Sequence, residues 1–281
     1  MIPIRLVVTD VDGTLVGSDR TLAPSTIAAA DQLQSAGIRL AMVSARAPAG
    51  LDVLLAPLQI DTPRAGFNGG VILDVDGGVL EELVLDPDAA ATTIDLLEAA
   101  GLDVWVFAAN QWFLRNPEAT YIQSEQRSIL MPWQKVTGFT PLLDGVHKIM
   151  GSSTDHGLVA RTDATLRGAL GGRASVQRSQ SYYIDVTHPH ADKGRALRLI
   201  ADRLDMMPQQ VVAIGDMPND LSMFRAAGCS IAMGNAMPEV RAQADHVVRD
   251  HDTDGWADAV GWVLQRNAIG PNAEGRPCDR A

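Results

Sequence analysis

Asp10-Val11-Asp12-Gly13-Thr14 sets two carboxylates two positions apart, directly after the apolar run from Ile4 to Val8 and just before a Gly-Thr turn. Charge at the end of a buried strand costs stability unless a cation or a reactive group meets it. Three further stretches fall at comparable places. Ser44 closes the apolar run "IRLAMVS", with Arg46 just beyond it. Lys193-Gly194 opens a helical pattern, and Gly215-Asp216-Met217-Pro218-Asn219-Asp220 closes the run "VVAI" and opens another helix. In α/β sheets ligands bind outside the carboxyl ends of the strands, so these side chains are expected to share one crevice. Hard carboxylate oxygens with little nitrogen or sulfur favour Mg²⁺, which keeps waters or substrate phosphate oxygens in its remaining positions. A lysine beside them supplies a fixed positive charge for a phosphoryl group, and a serine with free helix-start amides completes an anion cradle. The combination suggests phosphoryl transfer, in which a carboxylate can act as nucleophile through an aspartyl-phosphate. Each stretch alone has an ordinary structural role as a turn, strand-end hydroxyl or helix cap. Those roles do not account for their order and shared position at strand ends.

The intervening segments must bring these ends together. Val7 and Val8 belong to a near-continuous apolar strand of the kind found in parallel sheets covered on both faces. Pro24 and Ser25 suit the start of a helix that Gly37 stops, residues 38–45 form the next strand, and a helix follows through Leu51, Leu54 and Leu55. This alternation implies parallel crossovers. A short strand and a hairpin turning at Asp76-Gly77-Gly78 come next. From about residue 84 the pattern changes to mixed helices and paired strands that hold all three tyrosines together with Trp105, Trp112 and Trp133. After residue 190 the strand–helix alternation returns. The expected fold class is α/β, a Rossmann-like parallel-sheet core carrying an inserted α+β domain. The expected boundaries are residues 1–83 with 190–268 for the core, 84–189 for the insertion, and 269–281 for a flexible tail.

The 281 residues allow a large buried core, and 46% hydrophobic with 20% charged residues is ordinary globular composition. A formal charge of −11 argues against nucleic acid or an anionic membrane as main partner. The sequence contains no apolar run long enough to span a bilayer, and the immediate strand pattern leaves no room for a signal peptide. Cys229 and Cys278 are distant and unpatterned, so no disulfide and no thiol metal site is expected. The expected location is the cytoplasm. The sequence leaves the oligomeric state open.

"DVDGTL", the strand-end serine in "VSAR", "DKGRAL", and "GDMPNDLSMF" with "MGNA" resemble the four motifs of the haloacid dehalogenase-like phosphatases. More narrowly they are similar to the Cof-type subfamily, which carries a large α/β cap between its second and third motifs. The resemblance covers about residues 2–83 and 190–266. It implies that Asp10 is the nucleophile, and that Asp12 protonates the leaving oxygen and then activates water. It further implies Mg²⁺ held by Asp10, the Asp12 backbone carbonyl and Asp216, with Asp220 orienting Lys193 or a metal-bound water. Lys193 would bridge the phosphoryl group and Asp10. Ser44, Arg46, Asn68 and Asn219 would face the substrate. The second motif departs from the family's usual Thr-Gly-Arg, reading Ser44-Ala45-Arg46, which keeps the hydroxyl and the arginine but lowers backbone freedom.

The resulting expectation is a Mg²⁺-dependent phosphomonoester hydrolase of small phosphorylated metabolites. Sugar phosphates are favoured, ahead of flavin mononucleotide, pyridoxal phosphate and nucleotide-like esters. A phosphomutase of the same superfamily and a catalytically silent sugar-phosphate-binding module are the competing readings. His188-Pro189-His190 is read as a hinge, the inserted Trp and Tyr residues as core, and Arg115, Arg127 and Arg178 as solvated surface.

Overall fold

The structure, a computed structural model, describes residues 2–109, 111–129 and 131–269. The first part of the chain forms β1 (Leu6–Thr9), α1 (Pro24–Ser35), β2 (Arg39–Met42), α2 (Ala49–Leu55), β3 (Arg64–Gly66), β4 (Val71–Leu73) and β5 (Val79–Glu82). The middle forms α3 (Pro87–Ala99), β6 (Asp103–Ala108), β7 (Gln111–Leu114), α4 (Ile122–Ile129), β8 (Trp133–Lys135), β9 (Val146–Ser152), α5 (His156–Leu170), β10 (Ser175–Gln180) and β11 (Tyr183–Thr187). The last part forms α6 (Lys193–Arg203), β12 (Val211–Gly215), α7 (Leu221–Ala226), β13 (Cys229–Ala232), α8 (Pro238–Arg241), β14 (His246–Val247) and α9 (Gly255–Ile269).

The first and last parts interleave in one sheet of order β14-β13-β12-β1-β2, parallel at every pairing among the described residues. Alternation along β1 explains why both faces are covered: Val7 enters a cluster with α1, α2 and α9, while Leu6 and Val8 enter one with α6 and α7. The chain leaves β1 on one side to form β2 and later returns on the other as β12. That is a topological switch point, where adjacent strand ends leave a crevice.

The middle part builds its own six-stranded sheet, β10-β11-β9-β6-β7-β8. One face packs under α3 and α5. The other carries Trp105, Phe107, Trp112, Leu114, Met150 and Tyr183 against Ala47, Phe67 and Val71 of the first part. The buried aromatics are therefore core, and their cluster joins the insertion to the parallel-sheet layer. The small strand β8, parallel to β7, was not expected. It is three residues at a sheet edge with only Trp133 partly buried, too short to show a period. The hairpin at Asp76-Gly77-Gly78 forms between β4 and β5, with the Asp74 N–H donating to the Gly78 carbonyl at 2.7 Å. His188-Pro189-His190 makes the turn from β11 into α6.

Cys229 is buried on β13, and the expectation of no disulfide turns on its pairing with Cys278. Cys278 and residues 270–281 of the expected tail lie outside the described residues. No helix among the described residues is long and apolar enough to cross a membrane.

Trp256 ties α9 to the strand that carries the first motif. It is 1% exposed, and its Nε1 donates to Thr9 Oγ1 at 3.1 Å, one residue before Asp10. Trp256→Ala is expected to cost about 3–5 kcal/mol through the lost contacts and the cavity left behind. Chemical denaturation of the two proteins measures it; a loss below about 1 kcal/mol would remove Trp256 from the supports of β1.

Candidate active site

Asp10 leaves the end of β1, its N–H donating to the Ile214 carbonyl at 2.9 Å, and the chain then curls tightly. Gly13 sits at φ +79°, and a Cβ there would lie 2.5 Å from Asp216 Oδ2. Only glycine allows both the left-handed turn and this close approach. Thr14 Oγ1 donates to Asp216 Oδ1 at 3.0 Å, so the first and fourth motifs are bonded directly. At the end of β12, Asp220 Oδ2 accepts the backbone N–H groups of Asp216 at 3.0 Å and Met217 at 2.9 Å. Its Oδ1 accepts Lys193 Nζ at 2.6 Å, and the same ammonium donates to Asp10 Oδ1 at 2.7 Å. Lys193 is 1% exposed and Asp220 fully buried.

Oxygens of Asp10, Asp216 and Asp220 lie within 4.8 Å of one another. Three carboxylates against one ammonium leave two negative charges uncompensated when all are ionised. Burial pushes the Asp10 carboxyl up to about 7, with Lys193 opposing the rise and Asp220 and Asp12 adding to it. Burial, with Asp10 and Asp220 alongside, pushes Asp216 well above the usual carboxylate range. Lys193 goes the other way: burial works against its charge, but Asp10 and Asp220 outweigh it and hold the ammonium form. The donor set fits a hard divalent cation, since it is all oxygen, buried and short of positive charge. With Asp220 spent on Lys193 and the backbone, Asp10 and Asp216 have the carboxylate oxygens best placed to take it.

Asp12 turns away from this cluster. Its carboxylate accepts Arg46 Nε and Nη2, both at 2.8 Å, and Arg20 Nη1 at 2.7 Å. Burial raises its pKa, but the two guanidinium groups outweigh burial and hold it down to about 2. Arg46, expected to face substrate, lines the cavity with most of its donors spent on Asp12 and on the Gly50 and Ser128 carbonyls, the latter in α4. Ser44 Oγ accepts the Arg46 N–H at 3.1 Å, and the Ser44 carbonyl accepts the Asn68 N–H at 2.8 Å. Phe67 and Asn68 are both left-handed, at φ +50° and +57°, a conformation that only surrounding contacts sustain. Asn68 Oδ1 accepts Asn219 Nδ2 at 3.0 Å, joining two of the expected substrate residues.

A cavity of about 40 Å³ brings Asp10, Asp12, Ser44, Arg46, Lys193 and Asn219 into one wall. The insertion closes the other side with Glu125, Lys148, Met150, Ser179, Gln180 and Tyr183. Lys148 Nζ pairs with Asp185 at 3.0 Å and donates to the Ala45 carbonyl at 3.1 Å, bridging insertion and core. A neighbouring hollow of about 660 Å³ shares Asp12, Arg20, Gln180 and Met217. Of these insertion residues only Tyr183 has a reading from the sequence, as core, and it lines the cavity as well; the others, and Arg20, were not singled out, because no motif marks them. Asn235 had a signal in "MGNA": its Nδ2 donates to the Gly13 carbonyl at 2.8 Å and Asp216 Oδ2 at 3.2 Å. Arg127 borders the larger hollow, Arg178 a separate one, and Arg115 pairs with Glu98 away from the site.

The raised carboxyls carry a pH signature. Above pH 4 the unfolded chain releases the Asp10 proton, while the native site holds it until about pH 7. Native stability in the absence of divalent cation therefore falls as pH rises through that window, and Asp216 acts with the same sign. Added Mg²⁺ is expected to raise the melting temperature more at pH 7.5 than at pH 5. Equal shifts at the two pH values, read by calorimetry, would detach the cation from these carboxyls.

The pattern of the haloacid dehalogenase-like hydrolases matches residues 7–260. An HMP-PP phosphatase of Enterobacter sp. is 29% identical over 250 residues, covering 86% of this chain and 89% of its own length. The pyridoxal phosphate phosphatase YbhA of Escherichia coli is 26% identical over 266 residues, covering 91% and 97%. A crystal structure of a haloacid dehalogenase-like hydrolase from Bacteroides thetaiotaomicron superimposes with a TM-score of 0.82 at 28% identity, covering 92% of this chain and 99% of that one. With its four motifs, three at strand ends and one at a helix start, gathered around one acidic crevice, the chain belongs to the haloacid dehalogenase-like hydrolase family.

Proposed function

We propose that the protein is a Mg²⁺-dependent phosphomonoester hydrolase of small phosphorylated metabolites. The observation that carries this reading is the pairing of Lys193 with both Asp10 and Asp220 beside Asp216. The named relatives support it: one is an HMP-PP phosphatase and another a pyridoxal phosphate phosphatase. Residues 1–83 and 190–268 act as the catalytic core domain, and residues 84–189 as its cap.

An Asp10 carboxylate oxygen attacks phosphorus while Lys193 offsets the charge brought by the phosphoryl group. The bond to the leaving oxygen breaks, and that oxygen takes a proton from Asp12. Asp12 then removes a proton from water, which attacks the aspartyl-phosphate, frees inorganic phosphate and restores Asp10. The arginine pairs keep Asp12 ionised, the form needed for the second step. In the first step Asp12 must carry a proton, so its pair with Arg46 has to loosen as the substrate enters. Ser44, Asn68 and Asn219 hold phosphoryl oxygens, and Arg46 joins them once released. Asp10 and Asp216 would hold Mg²⁺ with the Asp12 backbone carbonyl, while Asp220 fixes Lys193 or a metal-bound water. Bound there, Mg²⁺ would neutralise charge on the phosphoryl group and on the nucleophile.

The cavity of about 40 Å³ is small beside ligand sites of roughly 300–1,000 Å³, and it shares Asp12, Arg20, Gln180 and Met217 with the neighbouring hollow of about 660 Å³. Withdrawal of the cap would widen the entrance for the ester, and its return would exclude water. Arg46 and Lys148, each bridging core and insertion, are the contacts this motion breaks.

Three results test the reading. With Mg²⁺ and no bisphosphate activator, the protein should release inorganic phosphate from small phosphomonoesters; a requirement for bisphosphate would favour a mutase. Asp10→Asn should lose on the order of 10⁴-fold or more in kcat while keeping its melting temperature, and excess chelator should stop turnover with Ca²⁺ failing to restore it. Turnover near the parent rate in Asp10→Asn, or in chelator, would overturn the assignment.

A further inference from the structure

Glu125 has no part in the chemistry above. It lies on α4, is 6% exposed, and lines the cavity across from Asp10 and Lys193. Its carboxyl accepts no hydrogen bond and forms no ion pair within the described residues. Its two cationic neighbours are already committed: Lys148 to Asp185 and the Ala45 carbonyl, Arg20 to Asp12. In the same wall Tyr183 Oη is buried and has no hydrogen-bond partner. A buried carboxyl with no donor, beside a buried hydroxyl with no partner, is costly to keep unless a ligand satisfies both.

We propose that Glu125, with Tyr183, binds the organic part of the substrate, and that this part presents hydroxyl or ammonium hydrogens and not a second anionic group. This rests on the phosphatase reading and narrows its substrate class. The wall's charge supports the choice. Lys148 is paired with Asp185, and Arg20 and Arg46 share Asp12 with their donors turned to it. Glu125 therefore presents its acceptors to the cavity without an ion-pair partner among the described residues, and meets a carboxylate or second phosphate as like charge. A donor-bearing group instead fills the acceptor that the fold leaves empty, and a site built to hydrogen-bond a substrate discriminates strongly against analogues lacking the donor.

Phosphate release from glucose 6-phosphate, glucosamine 6-phosphate, 3-phosphoglycerate and p-nitrophenyl phosphate tests this. The parent protein should favour either hexose ester over 3-phosphoglycerate by about tenfold or more in kcat/KM. Glu125→Ala should lower kcat/KM for that hexose ester, relative to p-nitrophenyl phosphate, by about tenfold or more. Glu125→Gln keeps the shape and an acceptor but removes the charge, so it should raise 3-phosphoglycerate at least about threefold relative to glucosamine 6-phosphate. The relative loss of glucose and glucosamine esters in that variant separates hydroxyl from ammonium recognition. Ratios unchanged within about twofold in variants that melt like the parent overturn the inference, as does a parent preference for 3-phosphoglycerate. Should Glu125→Ala not fold, the Gln ratio decides alone. Absence of phosphate release by the parent from all four esters overturns the phosphatase reading and the inference with it.

Discussion

A single buried ammonium holds the acidic crevice together. Lys193 comes from the first turn of α6, and its partners Asp10 and Asp220 come from the ends of segments 183 and 27 residues away. A lysine at a helix N-terminus opposes the helix dipole and, when buried, loses its hydration. It stays charged because two carboxylates meet it. Removing the ammonium would leave both carboxylates unpaired in the interior, a loss of about 3–5 kcal/mol for buried pairs of this kind. The reciprocal constraint matters as much: Asp10 and Asp216 could not sit so close in a buried site without positive charge nearby. The strand ends, the helix start and the loop after β12 are thus locked by electrostatics as well as by packing.

The insertion contributes through two kinds of contact. Its aromatic face packs on Ala47, Phe67 and Val71 and supplies non-directional adhesion. Arg46 and Lys148 cross the same boundary through directed hydrogen bonds to the Ser128 and Ala45 carbonyls. Arg46 also grips Asp12, so the position of α4 and the orientation of Asp12 are linked through one guanidinium. A planar fork that satisfies a carboxylate with two donors and a distant carbonyl with a third suits arginine, and lysine could not reproduce it.

Much of the architecture was legible because its signals are local. Leu6–Thr9 is buried on both faces and opens on the apolar Leu6-Val7-Val8; Pro24 and Gly37 bracket α1; Asp76-Gly77-Gly78 announces its hairpin. Less legible were features that depend on partners far along the chain. The strand β8 is too short to show a period. The role of Arg46 was read from its place in a motif, yet its donors go to Asp12, Gly50 and Ser128.

By itself the sequence determined the fold class and the identity of the groups at the strand ends, because hydrophobic period, turn chemistry and the order of Asp10, Ser44, Lys193 and Asp216 are properties of the linear chain. Tertiary structure alone decided what surrounds them: that Asp12 is clasped by Arg20 and Arg46, that Asn235 braces Gly13 and Asp216, and that Glu125 and Tyr183 face the crevice. The physical reason is that charge pairing, desolvation and cavity shape arise between residues tens to hundreds of positions apart. No local pattern in the sequence encodes which of them will meet.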